Sequence, residues 1–267
     1  CIKCNERYTR SKAWIAGFNG CKICKRWYPL IKALFIRRFW LIRHRLLSTL
    51  GFMTLLPLFL HIAITMVMKN IFIYSLDEIQ YEIWVFPGII ILISILSTYS
   101  VIYRDLFNLR IHKKAFIPIT LAPYSKFYLV TGILLSAIVE SLIYGSVAML
   151  IISFLLPEAL HWSVYFFTPI YGFIFLLLFG NLILTFSILI ERISTFLSLT
   201  IILFFFVIFG TGILVEFEFY PQTLGLILSY NPLSMILSEL RGLLFFNEIN
   251  WIWITLPLLI GFGWTWL

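Results

Sequence analysis

Residues 164–190 have the sequence VYFFTPIYGFIFLLLFGNLILTFSILI, which contains no charged side chain. A helix needs about 20 apolar residues to cross the hydrocarbon core of a bilayer. This run exceeds that length, so it predicts a membrane-spanning helix.

Five further runs of the same kind lie along the chain, and together they predict an all-α, polytopic protein with six transmembrane helices. Of the Asp, Glu, Lys and Arg residues, only Glu140 lies inside them. Hydrophobic residues make up 61% and charged residues 12% of the 267-residue chain, whereas soluble domains have roughly 25% charged residues. This composition excludes a water-soluble globular domain. The predicted spans are 46–68, 85–103, 127–156, 164–190, 193–215 and 251–267.

Lys and Arg residues lie mainly in alternate connections between these spans. Twelve of the 20 precede residue 46, five lie from Arg104 to Lys126, and Arg192 follows the fourth span, whereas the other connections hold only Lys69 and Arg241. Cytoplasmic loops carry such an excess, so we expect both termini in the cytoplasm and the chain in the inner (plasma) membrane. The net charge of +8 is therefore a topology signal, and nucleic acid is not an expected partner.

Two helical segments do not fit as spans. Residues 28–45 combine regularly spaced apolar residues with basic ones, which predicts an amphipathic helix in the inner interface; the alternative is a basic flank of the first span. Residues 224–246 carry Pro232, Glu239 and Arg241 in an apolar background, which predicts a re-entrant or surface-lying helical pair on the outer face before the last span. The apolar residues of the first segment are Ile31, Leu34, Phe35, Phe39 and Ile42, and its basic residues include Lys32, Arg37, Arg43 and Arg45.

Three motifs occur in order between these elements. Phe86-Pro87-Gly88 opens the second span, a basic segment from Tyr103 ends in Ala122-Pro123-Tyr124-Ser125, and Asn231-Pro232-Leu233-Ser234 with Glu239-Leu240-Arg241 precedes the last span. Over about residues 30–267 this layout resembles the type-2 ABC exporter permeases, which move polysaccharides, glycolipids and drugs outward.

The resemblance implies a permease domain over 28–267 that acts as a dimer with a second permease copy. It implies a transport subunit rather than an enzyme, and a separate nucleotide-binding ATPase as partner. The chain has no G-x-x-x-x-G-K-[ST] motif, so we expect ATP to act only through that partner. An amphipathic substrate would then be moved outward.

The segment after the second span is the expected contact with the ATPase, and the outer motif supplies a second group of candidate residues. The alternative for this segment is a solvated basic loop that only enforces topology. The candidate coupling residues are Arg104, Asp105, Leu106, Asn108, Arg110, His112, Lys113 and Lys114, and those of the outer motif are Asn231, Pro232, Glu239 and Arg241.

All four cysteines of the chain lie near its start, as Cys1, Cys4, Cys21 and Cys24. Their C-x2-C-x16-C-x2-C spacing predicts a small zinc-ribbon-like segment over 1–27, with four thiolates around one zinc ion. The alternatives are a disulfide pair on an oxidising side, which the charge distribution opposes, and an upstream segment that does not fold.

Glu140 lies near the middle of the third span, where an ionised carboxylate facing lipid is costly. We therefore expect it to face the bundle or a dimer seam, either hydrogen-bonded to a Ser, Thr or Tyr or taking part in substrate or proton transfer. His61 in the first span is expected to be a packed polar residue.

Two other function classes compete with the permease. A membrane-embedded enzyme acting on lipids or glycans would need acids or His clustered near one interface, and the sequence offers isolated ones. It also has no G-x-S-x-G or H-E-x-x-H motif. A passive channel would need a polar stripe along a span, and none is present.

Accessibility labelling tests the predicted topology. In a background with the four cysteines replaced by Ser, Asn231→Cys should react with a membrane-impermeant maleimide in intact cells. Lys113→Cys should react only after permeabilisation, because its loop is cytoplasmic. The reverse pattern would contradict the topology.

Overall fold

The computed structural model describes residues 27–44, 46–68, 79–111, 126–157 and 160–266. Within these ranges the chain is helical and contains no strand. We number the helices α1 (Trp27–His44), α2 (Leu46–Met68), α3 (Tyr81–Ile111), α4 (Lys126–Ser153), α5 (Trp162–Leu189), α6 (Ile193–Gly210), α7 (Gln222–Ser229), α8 (Pro232–Arg241) and α9 (Trp251–Trp266).

Five helices, α2 to α6, are long and apolar enough to cross a membrane. They coincide with the first five predicted spans, with some shifted ends. α3 begins at Tyr81 and continues to Ile111, well past the predicted end at 103, and α6 ends at Gly210 rather than at 215. The early end of α6 has a local cause, because Gly212 adopts a positive φ of 74° that a helix cannot contain.

The sixth predicted span coincides with α9, but this helix has only 16 residues. At 1.5 Å per residue it is about 24 Å long, which is shorter than the hydrocarbon core of about 30 Å. The described residues therefore support a multi-pass protein with five candidate spans, and the sixth stays a prediction.

α3 is the central helix of the bundle. Most of its side chains from Tyr81 to Phe107 are buried, and it packs between α4 and α5. α2 and α6 lie at the periphery and expose many large apolar side chains. A helix that is apolar all round must be covered by protein or by lipid; α3 is covered by protein, and the exposed faces of α2 and α6 suit lipid.

Small and hydroxyl-bearing residues form the contact between α3 and α4. Thr98 Oγ1 donates a hydrogen bond of 2.8 Å to Ser141 Oγ, and one turn further along Gly145 lies against Ser94. Helices in lipid gain little from burying apolar surface against each other, so close packing and interhelical hydrogen bonds hold them together. The absence of a side chain at Gly145 allows this close approach.

Aromatic rings attach α6 to the far end of α3. The Phe196 ring stacks on Phe107 with ring centroids 4.2 Å apart, and Tyr99 and Tyr103 lie beside it. In this part of α3, from Tyr103 to Phe107, the helix widens into one π-helical turn. Such turns interrupt the regular register and often occur at functional sites.

α1 packs against α4 through a face that includes the buried Arg38. Phe39, predicted to lie on the apolar face of an interfacial helix, is exposed, and the interfacial position of α1 stays a prediction. The segment predicted as a helical pair contains two short helices, α7 and α8, followed by a wide turn at Gly242–Phe246; their re-entrant or outer position stays a prediction.

Adding a methyl group at the α3–α4 contact should destabilise the bundle. A Cβ built on Gly145 lies 2.2 Å from Ser94 Oγ, so Gly145→Ala must either displace that hydroxyl from its hydrogen bond to the Ile90 carbonyl oxygen or push the helices apart, and should cost about 1–3 kcal/mol of the free energy of unfolding. The measurement is the thermal unfolding midpoint in detergent. The matched control is Gly51→Ala in α2, where nothing lies within 4 Å; equal midpoints for the two variants would refute the close contact.

Candidate functional site

Three buried charged side chains from three helices meet at one end of the bundle. Arg38 of α1 places Nη2 2.7 Å from Asp105 Oδ2 of α3 and Nη1 3.1 Å from Glu140 Oε2 of α4. All three side chains are nearly inaccessible to solvent. A buried charge is tolerated only when it is paired, and here one guanidinium serves two carboxylates.

Two further arginines form the rim of this charge cluster. Arg104 Nε lies 3.2 Å from Asp105 Oδ1 and its Nη2 lies 3.9 Å from Glu140 Oε1. Arg37 Nη1 lies 3.5 Å from Asp105 Oδ2. The rim side chains are 41% and 46% exposed, respectively. The cluster thus comprises three guanidiniums and two carboxylates and carries one excess positive charge.

The buried position of Arg38 affects the pKa of its guanidinium. Loss of hydration lowers the pKa of the Arg38 guanidinium, and the adjacent Asp105 and Glu140 oppose that shift. Because arginine is a very strong base and two carboxylates lie against the guanidinium, we treat Arg38 as a cation that forms ion pairs with both.

Arg110 ties the same segment of α3 to a different helix. Its Nη1 donates to the carbonyl oxygen of Ile188 and its Nη2 donates to that of Ile190 at 2.8 Å. These carbonyls belong to the C-terminal end of α5, where the last turn of a helix has no internal donors and favours cations. Arg110 thereby caps α5.

The predicted coupling residues Arg104, Asp105, Leu106, Asn108 and Arg110 lie in helical continuation of the second span rather than in a separate loop. Asp105 and Leu106 are buried. The remaining candidates lie outside the described residues, and so does the predicted zinc segment. They are His112, Lys113, Lys114, Cys1, Cys4, Cys21 and Cys24.

Glu140 faces the interior of the bundle, as expected from the cost of a carboxylate in lipid. Its partner is Arg38 rather than the Ser, Thr or Tyr that the sequence favoured, because α1 packs along α4 and brings the guanidinium within reach. His61 lies within hydrogen-bonding distance of Thr65 Oγ1, at 3.2 Å, which agrees with a packed polar residue.

Sequence reasoning missed Arg38, the residue at the centre of the cluster. It was grouped with the basic residues ahead of the first span. Its spacing contains a signal, since it lies four residues after Leu34 and four before Ile42, on the predicted apolar face of α1. A charge inside an apolar stripe needs a buried partner wherever that stripe packs against protein.

At the opposite end of the bundle, Arg241 of the outer motif is buried. Its guanidinium donates to the carbonyl oxygens of Gly212 at 2.7 Å, Ile213 at 3.2 Å and Trp84 at 3.2 Å. Its Cζ also lies 3.4 Å from the centroid of the Trp84 ring, a cation–π contact. Burial lowers the pKa of Arg241 to about 9, so it remains charged at neutral pH.

The other residues of the outer motif arrange the chain around Arg241. Asn231 caps α8 by accepting a hydrogen bond from Leu233 N, and Pro232 occupies the first turn, where a missing N–H is harmless. Glu239 Oε1 accepts a hydrogen bond of 2.6 Å from Asn250 N, which positions the start of α9. A Cβ on Gly88 would meet the Ile213 carbonyl oxygen at 3.0 Å, so the Phe86-Pro87-Gly88 motif packs directly against the Arg241 site.

Comparison with known proteins finds no matching family model and no matching curated protein.

Removing the central arginine should destabilise the bundle more than removing an exposed one. Arg38→Met leaves two carboxylates buried and poorly paired, which should cost about 3–5 kcal/mol of the free energy of unfolding. Arg43→Met, at an exposed position of the same helix, is the control and should change little. Thermal unfolding midpoints in detergent measure both.

A second substitution separates ion pairing from simple loss of packing. Glu140→Gln should destabilise the wild-type chain, because it removes a partner of Arg38. In the Arg38→Met background the same change should stabilise, because it removes an unpaired charge. An effect of the same sign in both backgrounds would contradict the ion-pair model.

Proposed function

We propose that the chain is the permease subunit of an ATP-driven exporter of the type-2 ABC class. In this proposal a separate nucleotide-binding ATPase hydrolyses ATP. This chain, as a dimer with a second permease copy, lets an amphipathic substrate such as a polysaccharide, a glycolipid or a drug-like molecule leave on the outer side.

The observation that carries this proposal is the rigid attachment of the charged segment that follows the second span. Asp105 joins it to α1, and Arg110 joins it to the end of α5. Arg38 extends the connection to Glu140 in α4. A force applied to this segment would therefore move several helices together, which is what a subunit driven by a partner requires.

Finer features of the proposal concern topology. The charge distribution supports cytoplasmic termini in the inner membrane; in this proposal Asp105 and Arg110 lie on the cytoplasmic side and Arg241 lies on the outer side. α9 is proposed as the sixth span, and α7 with α8 as the re-entrant pair. The zinc-ribbon-like segment over 1–27 is proposed as an appended cytoplasmic module.

The outer motif supports the same proposal in a second way. The two motifs that are far apart in the sequence, Phe86-Pro87-Gly88 and Asn231 to Arg241, meet in one packed site. Arg241 binds carbonyl oxygens exposed where α6 has ended, so it braces the non-helical residues between α6 and α7. This arrangement suits a fixed outer frame around an exit path.

Co-purification and ATPase assays test the proposed function. The full chain, co-expressed with a candidate P-loop ATPase, should co-purify with it in detergent and alter its rate of ATP hydrolysis in liposomes. Arg110→Gln should keep the complex but reduce that effect about fivefold or more, because the segment loses its attachment to α5.

The control is Arg192→Gln, which removes an exposed basic side chain from the connection between α5 and α6 and should leave coupling unchanged. A chain that transports without any ATPase, or equal effects of the two substitutions, would rule out the proposed coupling route.

A membrane-embedded enzyme remains the alternative. The buried carboxylates of the described residues are all engaged, Asp105 and Glu140 by Arg38 and Glu239 by the backbone N–H of Asn250. This favours the permease, because catalysis by an acid or base needs a group free to exchange protons.

A further inference from the structure

The charge cluster has two parts with different surroundings. Arg38, Asp105 and Glu140 are buried and form ion pairs with one another, whereas Arg37 and Arg104 lie on the rim and are nearly half exposed. The excess positive charge of the cluster is therefore presented at the surface by two guanidiniums from different helices.

The rim arginines keep donors that the cluster does not use. Arg37 approaches Asp105 only with Nη1, at 3.5 Å, the limit for a hydrogen bond. Arg104 is engaged through Nε and, more distantly, Nη2. Each guanidinium has five N–H groups in a planar fork that matches a phosphate group, so both side chains can stay near Asp105 and still donate outward.

The length of α3 between Tyr81 and Asp105 allows the rim to lie at the level of lipid headgroups. Asp105 lies 24 residues after Tyr81, the first residue of α3, which is about 36 Å along a helix. The hydrocarbon core is about 30 Å thick. If α3 enters the core near Tyr81, Arg104 and Asp105 emerge in the opposite headgroup layer.

The surface beside Arg37 is aromatic, and other exposed side chains of α1 are apolar. Trp40, three residues after Arg37 and therefore on the same face of α1, is exposed and lies against His44 with ring centroids 5.7 Å apart. Ile36 and Phe39 are exposed on other faces of the same helix. Aromatic and basic side chains together are typical of a helix that contacts the membrane interface. A ligand at the rim would therefore meet positive charge at one end and apolar surface beside it.

We infer that Arg37 and Arg104 form a binding site for the phosphate group of an anionic phospholipid of the inner leaflet. The lipid headgroup neutralises the excess charge of the cluster, and its acyl chains cover the exposed side chains of α1. This inference rests on the membrane orientation of the proposed function but not on the ATPase, so it stands or falls separately from the proposed transport cycle.

Lipid retention tests the site. The purified full chain, delipidated in detergent and titrated with phosphatidylglycerol or phosphatidylcholine, is examined by native mass spectrometry. The wild type should retain phosphatidylglycerol selectively. Arg37→Gln should weaken that retention about fivefold, the effect expected for one basic residue at a charged membrane surface, and should not change phosphatidylcholine retention. Arg37→Lys should keep most of it.

The matched control is Arg43→Gln, which removes an exposed arginine from the same helix outside the cluster and should change retention less than twofold. The thermal unfolding midpoint in phosphatidylcholine micelles verifies that Arg37→Gln is folded. Arg37→Gln and Arg104→Gln together should weaken retention further; if that double variant does not fold, the comparison of Arg37→Gln with Arg37→Lys decides.

Three outcomes would overturn the inference. Unchanged retention in Arg37→Gln, or an equal loss in Arg43→Gln, would exclude a specific site. Displacement of phosphatidylglycerol by millimolar inorganic phosphate alone would assign the site to a soluble anion. Loss of ATPase co-purification in Arg37→Gln with normal lipid retention would assign the rim to the partner protein.

Discussion

The ion pairs of Arg38 with Asp105 and Glu140 fix α1 against the bundle and determine how the surrounding helices can be arranged. In a low-dielectric interior an unpaired charge costs several kcal/mol, so any arrangement that separates Arg38 from its two carboxylates is strongly disfavoured. Because the three residues come from α1, α3 and α4, this constraint links three helices at one place. Between α3 and α4, the Thr98–Ser141 hydrogen bond and the close packing at Gly145 add to this constraint.

At the opposite end of the bundle a buried arginine is also paired, but with backbone carbonyl groups instead of carboxylates. Arg241 is bound by three backbone carbonyls and the face of Trp84. Two of those carbonyls, Gly212 and Ile213, are available because α6 has ended at Gly210. A broken helix inside a membrane needs donors for its carbonyl groups, and the guanidinium supplies them. The two ends are thus held by polar contacts, while the middle is held by close packing at residues such as Gly145.

This division suits a protein that transmits motion. Each end behaves as a unit because its polar contacts have few alternative partners, and α3 connects the two ends as a buried, nearly continuous helix. The single π-helical turn at Tyr103–Phe107 lies where α3 carries Asp105 and stacks on Phe196. A displacement of the charged segment would accordingly move α1, α4 and α5 before it affected the contacts of Arg241.

The sequence by itself determined the helical class, the approximate positions of five spans and the residue types at both sites. A long uncharged apolar run in lipid is stable as a helix, which satisfies all its backbone hydrogen bonds internally. The helical class and the spans can therefore be recognised from the local sequence alone. It also indicated that Glu140 must face the interior, from the cost of exposing a carboxylate to lipid.

Only the tertiary structure decided which residues pair with one another at the two charged sites. Arg38 and Glu140 are 102 positions apart in the sequence, and Arg241 meets Trp84 across a separation of 157 residues; no local pattern specifies such pairs. The sequence placed the end of α6 at 215 and did not single out Arg38, because hydropathy and periodicity reveal neither a glycine with positive φ nor the buried partners of a cation. Which face packs depends on the helices that meet it, and that is a property of the whole fold.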